Sequence, residues 1–268
     1  MDFSKIKLVV SDMDGTLLNS NHEVSTRFLT QFHQLKKNNI HFVAASGRQY
    51  QSILDKLSPI KDDISVIAEN GAIKKFRNTT EVLLELTQSE VSECISHLRK
   101  VNDCYIVLCG RKTAYIESEN SKFITTLPQY YSEVSQVNDL TQVADDNFLK
   151  IAVFHFESSE EFLYPHLDPI INRFQVIISS QNWVDISLQM ANKSFALKQI
   201  QKDLNISPEE TMVFGDYNND IEMLKLAQFS YAMENAHPNV KKIANYHTSS
   251  NNHFGVESIL EELLAARS

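Results

Sequence analysis

The chain has 268 residues, 43% hydrophobic and 22% charged, with a net charge of −9, six prolines and only six glycines. Average glycine usage would give roughly 19 in a chain of this length. This composition excludes collagen-like, linker-like and Gly/Pro-rich disordered chains, and no run of Lys and Arg exceeds two residues, which argues against a basic nucleic-acid-binding surface.

In chain order, Ile6–Val10 reads as a buried strand. Ser25 then caps a helix whose apolar stripe is Phe28, Leu29, Phe32 and Leu35, and Asn38-Asn39 stops it in the left-handed region. Residues 40–45 form a second strand, a helix follows Arg48, and residues 64–68 form a third strand. Apolar strands alternating with amphipathic helices predict a parallel sheet covered on both faces. The middle changes character. A helix near 88–101 precedes two strands, 104–109 and 113–117, joined at Gly110-Arg111. A helical stretch near 119–130, a strand over 148–156 and a helical stretch over 158–172 follow. A hairpin, 174–179 and 183–188, turns around Ser180-Gln181-Asn182. From Lys193 the alternation returns: helix to Leu204, strand 211–214, helix 220–227, strand 229–233 and a last helix over 254–265. The expected fold class is α/β, with a Rossmann-like parallel-sheet core carrying helices on both faces and an inserted α+β cap domain. Residues 1–83 and 188–268 are assigned to the core and 84–187 to the cap.

Cys94, Cys104 and Cys109 are odd in number and show no CxxC spacing, so neither a disulfide framework nor a zinc site is signalled. The chain has no 18-residue apolar run, and residues 1–7 lack the apolar region of a signal peptide. A cytoplasmic protein without membrane or nucleic-acid partners is expected.

The chemistry-bearing residues sit at strand ends. The first strand leads into Ser11-Asp12-Met13-Asp14-Gly15-Thr16. In extended backbone Asp12 and Asp14 point the same way, off the carboxyl end of a parallel strand, where open α/β sheets place ligands. Gly15 lets the chain turn away. Ser46-Gly47-Arg48 follows the second strand, where the Ser46 hydroxyl and helix-terminal amides suit a phosphate, or Ser46 is only an N-cap. Asn70-Gly71 follows the third strand as a turn signal, and Gly215-Asp216-Tyr217-Asn218-Asn219-Asp220 follows the fourth. The last loop is rich in the hard oxygen ligands that Mg²⁺ takes. Lys193 opens the preceding helix and, taken singly, reads as a surface lysine.

The order of these pieces resembles the haloacid dehalogenase-like superfamily, and the whole chain is similar to its Cof-type phosphatases with a large α/β cap. Trp183–Ile186 leading to Lys193 resembles that family's return from the cap, and Met233–Ala236 with Gly255-Val256 resembles its C-terminal segment. The resemblance implies a Mg²⁺-dependent phosphatase acting on small phosphorylated metabolites, sugar phosphates or phosphorylated cofactors, through an aspartyl-phosphate. It implies Asp12 as nucleophile and Asp14 as general acid/base. Mg²⁺ is then held by Asp12, the backbone carbonyl of Asp14, and Asp216. Ser46, the Gly47 amide and Lys193 hold the phosphoryl group. Asp220 lies beside the metal or orients Lys193, and Asn219 contacts the phosphoryl group or a metal-bound water. Arg48 and Asn70 are outer contacts at the cap–core cleft. Asn192 faces the substrate or merely caps the helix. The family pattern is departed from at Ser194 and Glu234, where Gly is usual, and at Tyr217, where a small residue is usual. Phosphomutase activity of the same superfamily and non-catalytic metabolite binding are the alternatives. Arg111, Lys112 and Lys122 are the basic cap residues a mutase would call on. The expected state is a monomer or small homo-oligomer.

Overall fold

The structure is a computed structural model that describes residues 2–267; Met1 and Ser268, the outermost residues of the expected core segments, lie outside the described residues. The first segment holds β1 (Leu8–Ser11), α1 (Thr26–Lys37), β2 (His41–Ala45), α2 (Tyr50–Lys56), β3 (Ser65–Ala68), β4 (Ile73–Phe76) and β5 (Thr79–Val82). The middle holds α3 (Gln88–Leu98), β6 (Tyr105–Gly110), β7 (Ala114–Ile116), α4 (Ser121–Thr126), β8 (Val134–Gln136) and β9 (Phe148–Phe154). It continues with α5 (Ser159–Phe162), α6 (Asp168–Ile171), β10 (Phe174–Ile178) and β11 (Trp183–Leu188). The last segment holds α7 (Lys193–Leu204), β12 (Thr211–Gly215), α8 (Ile221–Leu224), β13 (Phe229–Met233), α9 (Pro238–Ile243), β14 (Tyr246–Thr248) and α10 (Gly255–Ala265).

The first and last segments share one sheet of order β14-β13-β12-β1-β2-β3-β4-β5. The strands from β14 to β3 pair in parallel and the β4–β5 hairpin extends the edge antiparallel. Helices cover both faces, α1 packing on α10 and α7 on α8, as the expected fold class requires. Every residue of β1 is buried, which explains its apolar run Leu8–Val10. The Ser25 hydroxyl caps α1 by accepting from the Phe28 amide at 2.9 Å. Phe28, Phe32 and Leu35 are buried, and Asn39 takes φ 55° just beyond the end. Asn there does what Gly usually does, because its short polar side chain tolerates the left-handed region.

The middle segment forms a second sheet of order β10-β11-β9-β6-β7-β8, antiparallel except for β7 beside β8. Side-chain alternation sorts its two faces. Val184 and Ile186 of β11 pack with Val91, Ile95 and Leu98 of α3. Trp183 and Asp185 of β11, with Lys150 of β9, face the other way, into a cavity against the core sheet.

Several elements differ from the sequence reading. The helix after Arg48 starts at Tyr50, so Ser46 is not its N-cap. The 158–172 stretch breaks into α5, a single turn at Tyr164–His166, and α6, with Pro165 and Pro169 at the new starts. Proline cannot donate within a helix but fits its first turn. The expected 220–227 helix shrinks to one turn, Ile221–Leu224. The β4–β5 hairpin carries no apolar strand signal in the sequence: Lys74 to Glu81 holds one apolar residue, Phe76, and its outer strand β5 is the sheet edge. Cys94, Cys104 and Cys109 are free thiols, each pushed up by burial. No helix among the described residues is long and apolar enough to cross a membrane.

Candidate active site

Strand β1 lies at the centre of the core sheet with β2 on one side and β12 on the other. The chain therefore departs in opposite directions at its carboxyl end, the crevice where open α/β sheets bind ligands. Asp12 remains in the ladder, its amide donating to the Phe214 carbonyl at 3.0 Å. Gly15 has φ +76°, and a Cβ built there would lie 2.3 Å from Asp216 Oδ2. Only glycine therefore lets the first loop close on the last one. The Thr16 hydroxyl donates to Asp216 Oδ1 at 3.0 Å, and Asn235 Nδ2 donates to the Gly15 carbonyl at 2.8 Å, fixing that loop from two sides.

Asp12, Asp216 and Asp220 are buried and each offers a carboxylate oxygen within 4.8 Å of the others. Lys193, wholly buried at the first position of α7, donates to Asp12 and to Asp220 Oδ1, the latter at 2.7 Å. The backbone brings it there. Asn192 caps α7 by accepting from the Phe195 amide at 3.0 Å. Gly71, at φ +98°, leaves room for the Asn192 carbonyl, which a Cβ would meet at 2.3 Å. The Ser194 hydroxyl donates to the Asn192 side chain. Asp220 Oδ2 accepts the amides of Asp216 at 2.9 Å and Tyr217 at 3.1 Å, so Asp220 both orients Lys193 and folds its own loop.

Three carboxylates thus share one ammonium. Burial pushes the Asp12 carboxyl up, the Asp220 charge adds to it, and Lys193 opposes it. Asp216 is raised by burial and by the charges of Asp12 and Asp220. Burial lowers the Lys193 ammonium but Asp12 and Asp220 outweigh it, so its proton is held more firmly than usual. A dry pocket with a formal excess of two negative charges and only oxygen donors fits a hard divalent cation.

Asp14 stands apart from this cluster. Its two carboxylate oxygens accept from Arg48 Nη2 and Nε, each at 2.6 Å, and His22 Nδ1 lies 3.1 Å from Oδ1. Burial pushes its carboxyl up, but the hydrogen bonds of His22 and Arg48 and the Arg48 charge hold it well below the usual carboxylate range. Ser46 is buried, and its hydroxyl accepts from the Arg48 amide at 3.1 Å. Asn70, at φ 52°, donates to Asp185 Oδ2 and accepts from Asn219 Nδ2 at 3.1 Å. Asn70, Asn219 and Asp185 therefore form one chain across the cleft. Asn192 and Lys193 lie at the foot of α7, behind it.

The middle segment closes the cleft into a cavity of about 80 Å³. Its walls include Asp12, Asp14, Ser46, Gly47, Arg48, Asp216, Tyr217 and Asn219 from the core, and Tyr130, Tyr131, Lys150, Ser179, Ser180, Trp183 and Asp185 from the other side. Arg111, Lys112 and Lys122 do not line it. Lys150 pairs with Glu69 Oε2 and Asp185 Oδ1, both at 3.2 Å, and donates to the Gly47 carbonyl. Arg48 donates to the Gln129 carbonyl, and Ser132 to Asp55 at 2.7 Å. Sequence reasoning gave no role to Thr16, His22, Glu69, Lys150 or Asp185. The available signal was a lone charge inside an apolar strand: Lys150 in Phe148–Phe154 and Asp185 in Trp183–Leu188.

Residues 9–260 match the haloacid dehalogenase-like hydrolase family. This chain belongs to that family. The hydrolase is 32% identical over 97% of its length to 5-amino-6-(5-phospho-D-ribitylamino)uracil phosphatase YbjI of Escherichia coli, covering 96% of that protein. It is 31% identical to the putative phosphatase YxeH of Bacillus subtilis, over 97% of this chain and 99% of the relative. Among solved structures it superposes on SMU.1108c from Streptococcus mutans with a TM-score of 0.90 and 30% identity, over 97% of this chain and 99% of the other. Both sequence relatives carry phosphatase names, in keeping with the enzyme class expected from the sequence, a phosphoric monoester hydrolase. Tyr217, the departure in the last loop, packs against the apolar cluster of the middle segment, and Glu234 is exposed.

Proposed function

We propose that this haloacid dehalogenase-like phosphatase is a Mg²⁺-dependent hydrolase of small phosphorylated metabolites, either phosphorylated cofactors and their precursors or sugar phosphates. The substrate of the Escherichia coli relative, a phosphorylated ribitylaminouracil, falls within the first group. The single observation that carries the reading is the buried Asp12–Asp216–Asp220 cluster with one Lys193 between its members. In this reading residues 1–83 and 188–268 form the catalytic core, and residues 84–187 form a cap that selects the leaving group.

Asp12 and Asp216, with the Asp14 carbonyl, would hold the Mg²⁺. When bound, the ion neutralises phosphoryl oxygens and favours the ionised form of the carboxylates around it. Asp12 attacks phosphorus through its free carboxylate oxygen. The bond to the leaving oxygen breaks and Asp14 gives that oxygen a proton, leaving an alcohol and an aspartyl-phosphate. Water then attacks phosphorus while Asp14 takes its proton, and the bond to Asp12 breaks, releasing phosphate and restoring the carboxylate. The carboxylate form of Asp14, held by Arg48 and His22, suits the second half. The first half requires Arg48 to release at least one Asp14 oxygen when the substrate enters. Lys193 holds Asp12 in line and supplies positive charge as negative charge builds on the phosphoryl oxygens. Ser46 and the Gly47 amide receive the phosphoryl oxygens opposite Lys193, and Asn219, Asn70 and Asp220 hold that wall.

The test is hydrolysis of p-nitrophenyl phosphate by the purified chain. Release of nitrophenol with Mg²⁺, and its loss both in Asp12→Asn and on chelation, is the expected result. Undiminished activity after either change overturns the mechanism. Against the mutase alternative, the basic cap residues Arg111, Lys112 and Lys122 lie away from the cavity.

A further inference from the structure

We infer that Tyr130 and Trp183 form the leaving-group subsite and select phosphomonoesters whose alcohol carries a planar ring close to the ester oxygen, over open-chain polyol phosphates. The inference rests on the phosphatase reading above and narrows it to phosphorylated ring compounds of the cofactor group, setting this chain apart from the Escherichia coli relative, whose substrate joins its phosphate to the ring through a ribityl chain. The direction of the leaving group follows from Asp14, because the acid that protonates the leaving oxygen must face it. Arg48 joins Asp14 to the other side of the cleft. Its guanidinium carbon lies 5.5 Å from the centre of the Tyr130 ring. Trp183 meets Tyr130 edge to face, with ring centres 5.2 Å apart and planes at 68°. Two nearly perpendicular rings offer a face and an edge to a third, the geometry aromatic rings prefer.

The polar groups of the cavity point to the same class. Lys150 and Asp185 are paired with each other, and with Glu69 and Asn70 respectively. Little polar surface is left for the several hydroxyls of a polyol, each of which needs a partner once buried. The Trp183 indole Nε1 is buried beside the Tyr130 hydroxyl, so the pair presents mainly ring surface to the cavity.

Trp183 is the only tryptophan of the chain, so its emission reports directly on the subsite. The experiment titrates Asp12→Asn with benzyl phosphate and with glycerol 1-phosphate while following that emission, and measures kcat/KM for both esters on the unmodified enzyme. Benzyl phosphate is expected to quench the emission saturably, to bind about tenfold more tightly or better, and to be hydrolysed with the same preference. Trp183→Leu, and independently the half-buried Tyr130→Leu, should collapse the kcat/KM ratio of the two esters. Equal handling of both esters, or a preference for glycerol 1-phosphate, overturns the subsite while leaving the phosphatase reading intact. Preferential binding of benzyl phosphate without turnover of any ester upholds the subsite and defeats the phosphatase reading.

Discussion

Two buried charge clusters face each other across the cleft, and they differ in what completes them. The cluster of Asp12, Asp216, Asp220 and Lys193 is built wholly from residues at the carboxyl end of the core sheet and carries an excess of negative charge. The cluster of Glu69, Lys150 and Asp185 is split between the two sheets and closes only when they meet. Burying charges is costly unless partners compensate them. The first cluster keeps an uncompensated charge, which in the proposed mechanism a cation and a substrate make up. The second sets two carboxylates from both sides of the cleft against one ammonium, with Asn70 donating to Asp185, and so ties the two sheets together.

Breaking the first cluster should have the largest effect. Lys193→Met removes the ammonium that faces Asp12, and kcat is expected to fall roughly 10²–10³-fold, as when a transition-state donor is deleted elsewhere. Steady-state kinetics with p-nitrophenyl phosphate checks this; a loss confined to KM would reassign Lys193 to ground-state binding. Lys150→Met strikes the second cluster. It strands Glu69 and Asp185 in a dry interface, a change that costs about 3–5 kcal/mol in comparable buried pairs. Here the cleft can open instead of the chain unfolding. The expected outcome is a rise in KM and faster hydrogen exchange along β9 and β11, with Asp12 still able to react. An unchanged KM and exchange pattern would show that closure does not depend on this pair.

A gentler change sharpens the comparison through pH. Burial pushes the Glu69 carboxyl up to about 7, against the pull of Lys150. A carboxyl raised on folding favours the native state while protonated. Its contribution is therefore present below the unfolded pKa, near 4.5, and is lost as pH rises through about 7. Glu69→Gln should accordingly gain stability relative to the parent between pH 5 and pH 8, by roughly 1–3 kcal/mol. Denaturant melts at the two pH values test the sign. The smallest effect is expected from Asn192→Ala, which removes the α7 cap and should cost about 1 kcal/mol. A small drop in Tm with near-normal KM would mark Asn192 as a cap rather than a substrate contact.

Legibility in the sequence divides along the same line. The core strands β1, β2, β3, β12 and β13 could be read because each is a short, mostly apolar run, unlike β14 with its Tyr246-His247-Thr248, and the residues of the first cluster because each follows such a run. Asp12 and Asp14 share a side by strand alternation, and Asp216 and Asp220 share a loop. Lys193 is the exception: its burial depends on Gly71 admitting the start of α7, which no local pattern reveals. The second cluster joins positions 69, 150 and 185, brought together only by packing one sheet on another. The β4–β5 hairpin was missed for a related reason, since an edge strand keeps one side in water and loses the apolar signature.

The account turns on Asp12 carrying the phosphoryl group. The direct measurement is rapid acid quenching during turnover of a phosphomonoester with Mg²⁺, followed by peptide mapping by mass spectrometry. The account predicts a phosphoryl adduct on Asp12 that disappears in Asp12→Asn. Rapid turnover with no adduct on Asp12, or with the adduct on another side chain, would contradict it.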